Sequence, residues 1–189
     1  MPARPDWRER QIPVAVSESD LQAIVDRVVR RTLGAAPARA VALGSDHRGF
    51  ALKRDLVEHV RALGFKPLDC GVFREEPADY PDLAEAVSLR VRSGEAWRGI
   101  VIDGVGIGSS IAANKIPGVR AALCYNQPTA VNSVEHNDAN VLTLGASLIG
   151  PELARAIVTA WLETRFAGGR HAARVEKILA LERRYRPGP

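Results

Sequence analysis

The chain has 189 residues, of which 46% are hydrophobic, and this composition suits one globular domain of ordinary size with an appendage. Its formal net charge is +4, but the basic residues are scattered among acidic ones, which argues against nucleic-acid binding. No apolar run is long enough to span a membrane and no signal-peptide core is visible, so a cytoplasmic protein without a membrane contact is expected. Cys70 and Cys124 lie in apolar stretches, which favours buried free thiols over a disulfide.

Residues 1–39 are predicted to form an N-terminal extension. Residues 1–16 are polar and contain three prolines, whereas Leu21, Ile24, Val25, Val28 and Val29 recur at helical spacing within 17–33. Gly34 ends this amphipathic helix, and the Ala/Pro-rich residues that follow are typical of a linker.

Residues 40–185 are predicted to form one domain in which five strands alternate with helices. The strands are expected at 40–43, 65–70, 99–102, 119–124 and 140–144, and the helices at 50–63, from after 82 to 92, after 108, 128–135, 151–164 and from about 170 to 184. Such an alternation predicts a parallel, doubly wound α/β sheet with a three-layer, flavodoxin-like architecture. Ligands of these folds bind beyond the carboxyl ends of the strands.

The third predicted strand leads into a glycine loop. Asp103 ends the strand, Gly104, Gly106 and Gly108 follow at alternate positions, and Ser109 or Ser110 is predicted to cap the next helix. The N–H groups of such a loop stabilise a phosphate or a developing oxyanion, and the neighbouring carboxylate suggests proton transfer. The alternative is a structural turn in which Asp103 only caps the helix.

Other candidate residues follow different strands or begin the last helix. Asp46 and His47 come directly after the first strand, so they are expected to share a crevice with Asp103. Arg170 and Arg174 are four residues apart on one helix face and could bind one phosphate, although a solvated basic helix gives the same pattern. His136, at a helix end, is either catalytic or structural. No metal-ligand spacing is present, so no metal is predicted.

Five segments together resemble the ribose-5-phosphate isomerase B family, which is related to the galactose-6-phosphate isomerase subunits. The resemblance covers about residues 41–178 and rests on 44–50, 79–82, 104–118, 135–141 and 168–171, in the order in which the family has them. It implies a homodimer, with a tetramer as the alternative, whose active sites lie at the subunit interface. It also implies isomerisation of aldose phosphates to ketose phosphates without a cofactor.

The resemblance assigns roles residue by residue. His47, Arg170 and Arg174 would hold the phosphate, His136 would assist ring opening, and Asp46 would contact sugar hydroxyls. The remaining assignments place Asp103 as the base, the amides of Gly104, Gly106 and Gly108 at the enediolate, and Ser109 and Asn137 at the substrate.

Two departures from the family bear on the chemistry. Many relatives have a cysteine base at the position of Asp103 and a hydroxyl residue at the position of Val105, and others have a glutamate base at the position of Ser109. Asp103 could replace the cysteine, because carboxylates act as bases in other sugar-phosphate isomerases.

The family resemblance makes ribose 5-phosphate the first expected substrate. The alternatives are a tetrose or hexose phosphate, or a weakened protein that binds sugar phosphates without turnover.

The extension at 17–33 resembles the encapsulation peptides that direct enzymes into bacterial microcompartments. An isolated helix of this length needs a partner surface, which would be a shell protein or the protein's own dimer. The first interpretation predicts a location inside a microcompartment.

Overall fold

A computed structural model describes residues 38–185, so the predicted helix at 17–33 lies outside the described residues. Within this range, five strands alternate with helices, as the sequence predicts. The elements are β1 (Ala40–Ser45), α1 (Phe50–Ala62), β2 (Lys66–Asp69), α2 (Tyr80–Arg92), β3 (Arg98–Asp103), α3 (Ile107–Ala113), β4 (Ala121–Leu123), α4 (Gln127–Glu135), β5 (Val141–Gly145), α5 (Pro151–Glu163) and α6 (Arg170–Tyr185).

The five strands form one parallel sheet in the order β2-β1-β3-β5-β4. Ser45 at the end of β1 pairs with Ile102 of β3, and Asp103 pairs with Gly145 at the end of β5. The chain reverses its direction of travel across the sheet between β1 and β3, which is where doubly wound folds bind ligands. The predicted α/β class is confirmed.

Helices cover both faces of the sheet because alternate residues of the buried strands point to opposite sides. Leu43, Ile100 and Leu142 join a core that includes residues of α1, α4 and α5. On the other face, Ala42, Val101 and Val141 pack with residues of α2 and α3. Both layers are apolar, so the polar groups of functional interest lie at the ends of the strands.

The sequence predicts the bounds of most elements to within one or two residues, but α2 begins at Tyr80 rather than after residue 82, because Pro81 fits the first turn of a helix. The edge strand β4 also differs. It spans Ala121–Leu123, shorter than the predicted 119–124. The backbone N–H groups of Arg120 and Ala121 donate to the side chains of Asn140 and Asn114, at 2.8 and 2.9 Å. These side-chain bonds occupy the start of the edge strand, which shortens its regular pairing.

Candidate active site

Asp46 and His47 lie beside Asp103, as predicted, because β1 and β3 are neighbours and end at the same level. The N–H of Asp46 donates to the carbonyl of Ile102 at 3.2 Å, and its buried carboxylate accepts from the N–H of Gly49 at 2.9 Å. His47 Nδ1 accepts from the N–H of Ala78 at 3.5 Å. These bonds fix the turn that follows β1 against the end of β3.

Asp103 is buried, and its own loop wraps around its carboxylate. Oδ1 accepts from the N–H of Val105 at 2.7 Å and from the N–H of Gly106. Oδ2 accepts from the N–H of Ser109 at 3.1 Å and from the Ser109 hydroxyl. An ionised carboxylate has about four lone-pair positions, and four donors occupy them here.

This arrangement corrects the predicted cap of the helix after the loop. The N-cap of α3 is Gly106, whereas Ser109 lies inside the helix and turns its hydroxyl to Asp103. The carboxylate satisfies N–H groups of the first turn, which a serine at the N-cap would otherwise do. The interpretation of Asp103 as a helix cap within a structural turn therefore matches its observed contacts.

Two glycines of the loop are required by their surroundings. Gly106 has a φ of 83°, which favours a residue without a Cβ. A Cβ on Gly108 would lie 2.6 Å from the ring of Tyr80, so the close approach of this half-exposed ring requires glycine. Tyr125 Oη donates to the carbonyl of Val105 at 2.9 Å and holds the outer edge of the loop.

His136 forms a second group of predicted residues with the start of α6. Its ring stacks on His171 with the centroids 4.1 Å apart and the planes within 8°. Asn132 Nδ2 donates to His136 Nδ1 at 2.8 Å, which leaves Nε2 to carry the proton of a neutral ring. Nε2 lies 4.0 Å from the Glu135 carboxylate on a half-exposed side chain, so it is suited to donate to an ether or carbonyl oxygen of a ligand.

His171 is buried between His136 and the exposed guanidinium groups of Arg170 and Arg174. Arg170 Nε donates to His171 Nε2 at 3.3 Å, and this bond requires a neutral imidazole. Burial lowers the pKa of His171, and the neighbouring His136, Arg170 and Arg174 lower it further. The neutral ring supports an anion-binding surface without adding charge to it.

Asn137 follows His136 in a turn that Arg120 holds. Arg120 Nε donates to the carbonyl groups of Asn137 and Asp138 at 3.2 and 2.8 Å, and its Nη2 pairs with the Asp138 carboxylate at 2.8 Å. Asn137 also lines a cavity of about 680 Å³ near the start of β4, whose wall includes Lys115 and Arg120. The wall also includes Glu182, and Arg120 is paired with Asp138, so the cavity carries both signs of charge.

The two groups of predicted residues lie at opposite ends of the strands. We call Asp46, His47, Asp103, Gly104–Gly108 and Ser109 the loop half, and His136, Asn137, Arg170 and Arg174 the arginine half. The N–H of Ala167, just before α6, donates to the carbonyl of Glu135 at 3.0 Å, and Asn140 bonds to Gly99 near the start of β3. Since β3 has six residues, the halves are separated by roughly 16 Å of strand.

One buried cation supports the segment that carries the arginine half. Arg98, at the start of β3, lies over the rings of Trp97 and Trp161, 4.2 and 4.8 Å from their centroids. It donates to the carbonyl groups of Trp161 and Thr164, the latter at 3.1 Å. Burial lowers the pKa of Arg98 to about 10. The guanidinium thus stays charged at neutral pH and ties the end of α5 to the sheet.

The described residues give limited support to other kinds of site. No three His, Cys, Asp or Glu side chains within residues 38–185 are placed to hold a metal ion. In the same part of the chain, no helix is both long and apolar enough to cross a bilayer. Cys70 and Cys124 are free thiols, and burial raises the pKa of both, which lowers their reactivity.

Sequence reasoning missed four side chains that shape the two halves. Arg48 and Tyr80 lie against the glycine loop, Tyr125 holds Val105, and His171 supports His136. The segments that carry the family resemblance include Arg48, Tyr80 and His171, so their positions in the sequence could have identified them as site residues. Tyr125 follows the edge strand, and its contact depends on the order of the strands.

Comparison with known proteins relates this architecture to one enzyme family. The model of the family described as Ribose/Galactose Isomerase matches residues 41–178. Ribose-5-phosphate isomerase B of Escherichia coli is 47% identical over 146 residues, which are 77% of this chain and 98% of that protein. D-erythrulose-4-phosphate isomerase of Pectobacterium atrosepticum is 39% identical over 141 residues, 74% of this chain and 92% of that protein.

Solved structures agree with the sequence comparison. Ribose-5-phosphate isomerase B of Clostridium thermocellum superposes with a TM-score of 0.76 at 49% identity, over 77% of this chain and 99% of that one. The type B ribose 5-phosphate isomerase of Trypanosoma cruzi gives a TM-score of 0.77 at 46% identity, over 78% and 99% of the two chains. The chain therefore belongs to the ribose/galactose isomerase family of sugar-phosphate isomerases.

Proposed function

We propose that this enzyme interconverts an aldose phosphate and a ketose phosphate through an enediolate, without a cofactor, and that its substrate is ribose 5-phosphate. The observation that carries the proposal is the pair of complementary halves, one built around a buried carboxylate and a glycine loop, the other around two exposed arginines and a histidine. The reaction moves hydrogen between neighbouring carbons of one molecule, so it needs no external oxidant or reductant.

The two halves require two copies of the chain. They lie at opposite ends of one rigid sheet, and no side chain spans about 16 Å of strand. Large apolar side chains are exposed around the loop half: Val105, Ile107, Ile111, Tyr125 and Leu148 are between 36% and 58% exposed. A symmetric dimer that buries these side chains would bring the arginine half of one protomer to the loop half of its partner.

In such a composite site, five of the predicted residues take part in the reaction as follows. Arg170 and Arg174 hold the phosphate together with His47, and His136 donates from Nε2 to the ring oxygen as the sugar opens. Asp103 then removes the proton from the second carbon, and the electron pair forms the double bond of the enediolate. The hydroxyl proton on the second carbon's oxygen moves to the oxygen of the first carbon, and return of the abstracted proton to the first carbon gives the ketose.

The observed bonds of Asp103 set a condition on this step. The three N–H groups that donate to its carboxylate belong to the backbone of the loop, whereas the Ser109 hydroxyl can rotate about its own bond. We infer that this hydroxyl turns away when substrate binds, which frees one lone pair of Oδ2 for the proton. Without that rotation, the protein would bind sugar phosphates and not turn them over.

A second substrate class has direct support from one relative. The D-erythrulose-4-phosphate isomerase at 39% identity has a name that indicates a four-carbon substrate, so a tetrose phosphate is the main alternative. A coupled assay with tetrose, pentose and hexose phosphates at equal concentrations tests the proposal. It is supported if ribose 5-phosphate has the highest kcat/KM, and contradicted if another chain length is preferred or if the sugars bind without turnover.

The extension remains a separate prediction. We propose that the helix predicted at 17–33 binds a microcompartment shell protein, and residues 1–36 fused to a fluorescent protein should then co-purify with shells. The change Val25→Glu should abolish this and leave isomerase activity intact, because it places a charge in the apolar stripe. A fusion that stays diffuse beside intact shells, or an enzyme that unfolds without the extension, would favour packing on the dimer.

A further inference from the structure

Arg48 extends from the turn after β1 across the glycine loop. A Cβ built on Gly104 would lie 3.0 Å from Arg48 Cδ and 3.4 Å from Nη1, so the absence of a side chain at Gly104 admits the guanidinium. Ser147 Oγ lies 3.8 Å from the same point. Arg48 is exposed, and it therefore presents a positive charge beside the residue that follows Asp103.

The loop itself offers little neutralisation to a negative oxygen. The N–H groups of Val105 and Gly106, which could have formed an oxyanion site, donate to the Asp103 carboxylate. Asp103 becomes neutral as it takes the proton, but the two amides stay bound to its side chain, so an enediolate forming over the loop lacks these donors. A cation on the open side of the loop supplies the missing neutralisation.

We propose that Arg48 stabilises the enediolate during isomerisation, an inference that rests on the proposed function. When Asp103 takes the proton from the second carbon, the C–H electron pair forms the carbon–carbon double bond and the carbonyl oxygen becomes negative. The two oxygens of a cis enediolate lie on the same side of the double bond, and a planar guanidinium can donate to both through its two outer N–H groups. The contact strengthens as the charge develops, so it accelerates the chemical step.

Two other roles for Arg48 are less consistent with its position. Arg48 also lines a cavity of about 350 Å³ that includes Asp55 and Arg155, but the Asp55 carboxylate already pairs with Arg155. Binding of the substrate phosphate is already assigned to Arg170 and Arg174 of the arginine half together with His47. The distances place the charged end at Gly104, where the reacting carbons would lie.

The test compares Arg48→Gln and Arg48→Lys with Arg54→Gln, which removes a charge from an exposed position on α1. Arg48→Gln should lower kcat about 100-fold with KM changed by less than about threefold, which is the loss typical of one oxyanion donor. Arg48→Lys should recover part of the rate because it keeps the charge without the planar fork. Arg54→Gln should leave both constants unchanged.

Binding measurements separate this inference from the proposed function. Isothermal titration with a phosphorylated hydroxamate that mimics the enediolate should show a loss of affinity in Arg48→Gln that parallels the loss of kcat, with inorganic phosphate bound as before. A rise in KM with unchanged kcat, or equal hydroxamate affinity in both proteins, overturns the role of Arg48. An inactive wild type would instead overturn the proposed function, and the hydroxamate titration would still decide whether Arg48 binds the mimic.

Discussion

Asp103 should contribute measurably to stability as well as to catalysis, because four donors converge on its buried carboxylate. Asp103→Ala leaves the N–H groups of Val105, Gly106 and Ser109 and the Ser109 hydroxyl without their acceptor. A buried donor left unpaired costs about 1–3 kcal/mol, but the half-exposed Val105 can bond to water and the Ser109 hydroxyl can rotate. Two donors then remain, and the free energy of unfolding should fall by about 4 kcal/mol.

Asp103→Asn should cost less, because its remaining oxygen still accepts from Val105 and Gly106. Only the N–H of Ser109 faces the new amide nitrogen, so the expected loss is about 2 kcal/mol. Urea unfolding at one fixed protein concentration measures both values, because the stability of any oligomer depends on concentration. Losses below about 0.5 kcal/mol in both variants would contradict the account of the loop.

Kinetic measurements on Asp103 variants distinguish a catalytic base from a residue that only holds the loop. If Asp103 transfers the proton, Asp103→Asn should lower kcat by at least about 10³-fold, and Asp103→Cys should retain more activity because a thiolate can replace the carboxylate. If Asp103 only holds the loop, the milder Asp103→Asn should be the more active of the two. Exchange of the substrate hydrogen with deuterated solvent reports on proton removal directly.

Three further changes test the two halves separately. Arg174→Ala should raise KM about tenfold or more, because it removes one phosphate donor. The control Arg183→Ala only breaks an exposed ion pair with Glu176 and should leave KM unchanged. Equal effects of the two changes on KM would place the phosphate elsewhere. His171→Phe should reduce the loss of stability below pH 6.5. The pKa of His171 in the folded protein lies below its usual value of 6.5, so the unfolded chain gains the proton first as pH falls. If the urea midpoints of wild type and variant fall by the same amount from pH 7.5 to 5.5, this prediction is wrong. Val105→Thr should raise kcat if the hydroxyl of relatives assists proton movement, and an unchanged kcat would exclude that role.

The sequence predicts the elements well because alternating buried strands and amphipathic helices carry strong periodic signals. It also places Asp46 and Asp103 together, since both follow neighbouring parallel strands. The position of β5 between β3 and β4 depends on how the crossovers pack, and no local pattern encodes it. The contact of Tyr125 with Val105 follows from that order and was therefore not predictable.

The contacts of Asp103 were partly predictable. Aspartate often accepts from N–H groups two and three residues later, which is the spacing of Val105 and Gly106, and the structural alternative for Asp103 used the same chemistry. The serine cap was wrong because the carboxylate satisfies the first turn. The separation of the two halves could also have been predicted from the sequence, because a helix that follows a parallel strand returns the chain to the opposite end of the strands.

The central claim is that each active site combines the loop half of one protomer with the arginine half of its partner. Asp103→Asn and Arg170→Ala should each be nearly inactive as purified homodimers. When the two variants carry different tags and are co-expressed, the purified mixed dimer has one site with both mutations and one with neither. It should therefore show about half of the wild-type activity. A mixed dimer no more active than its parents would place both halves in one chain and contradict the account.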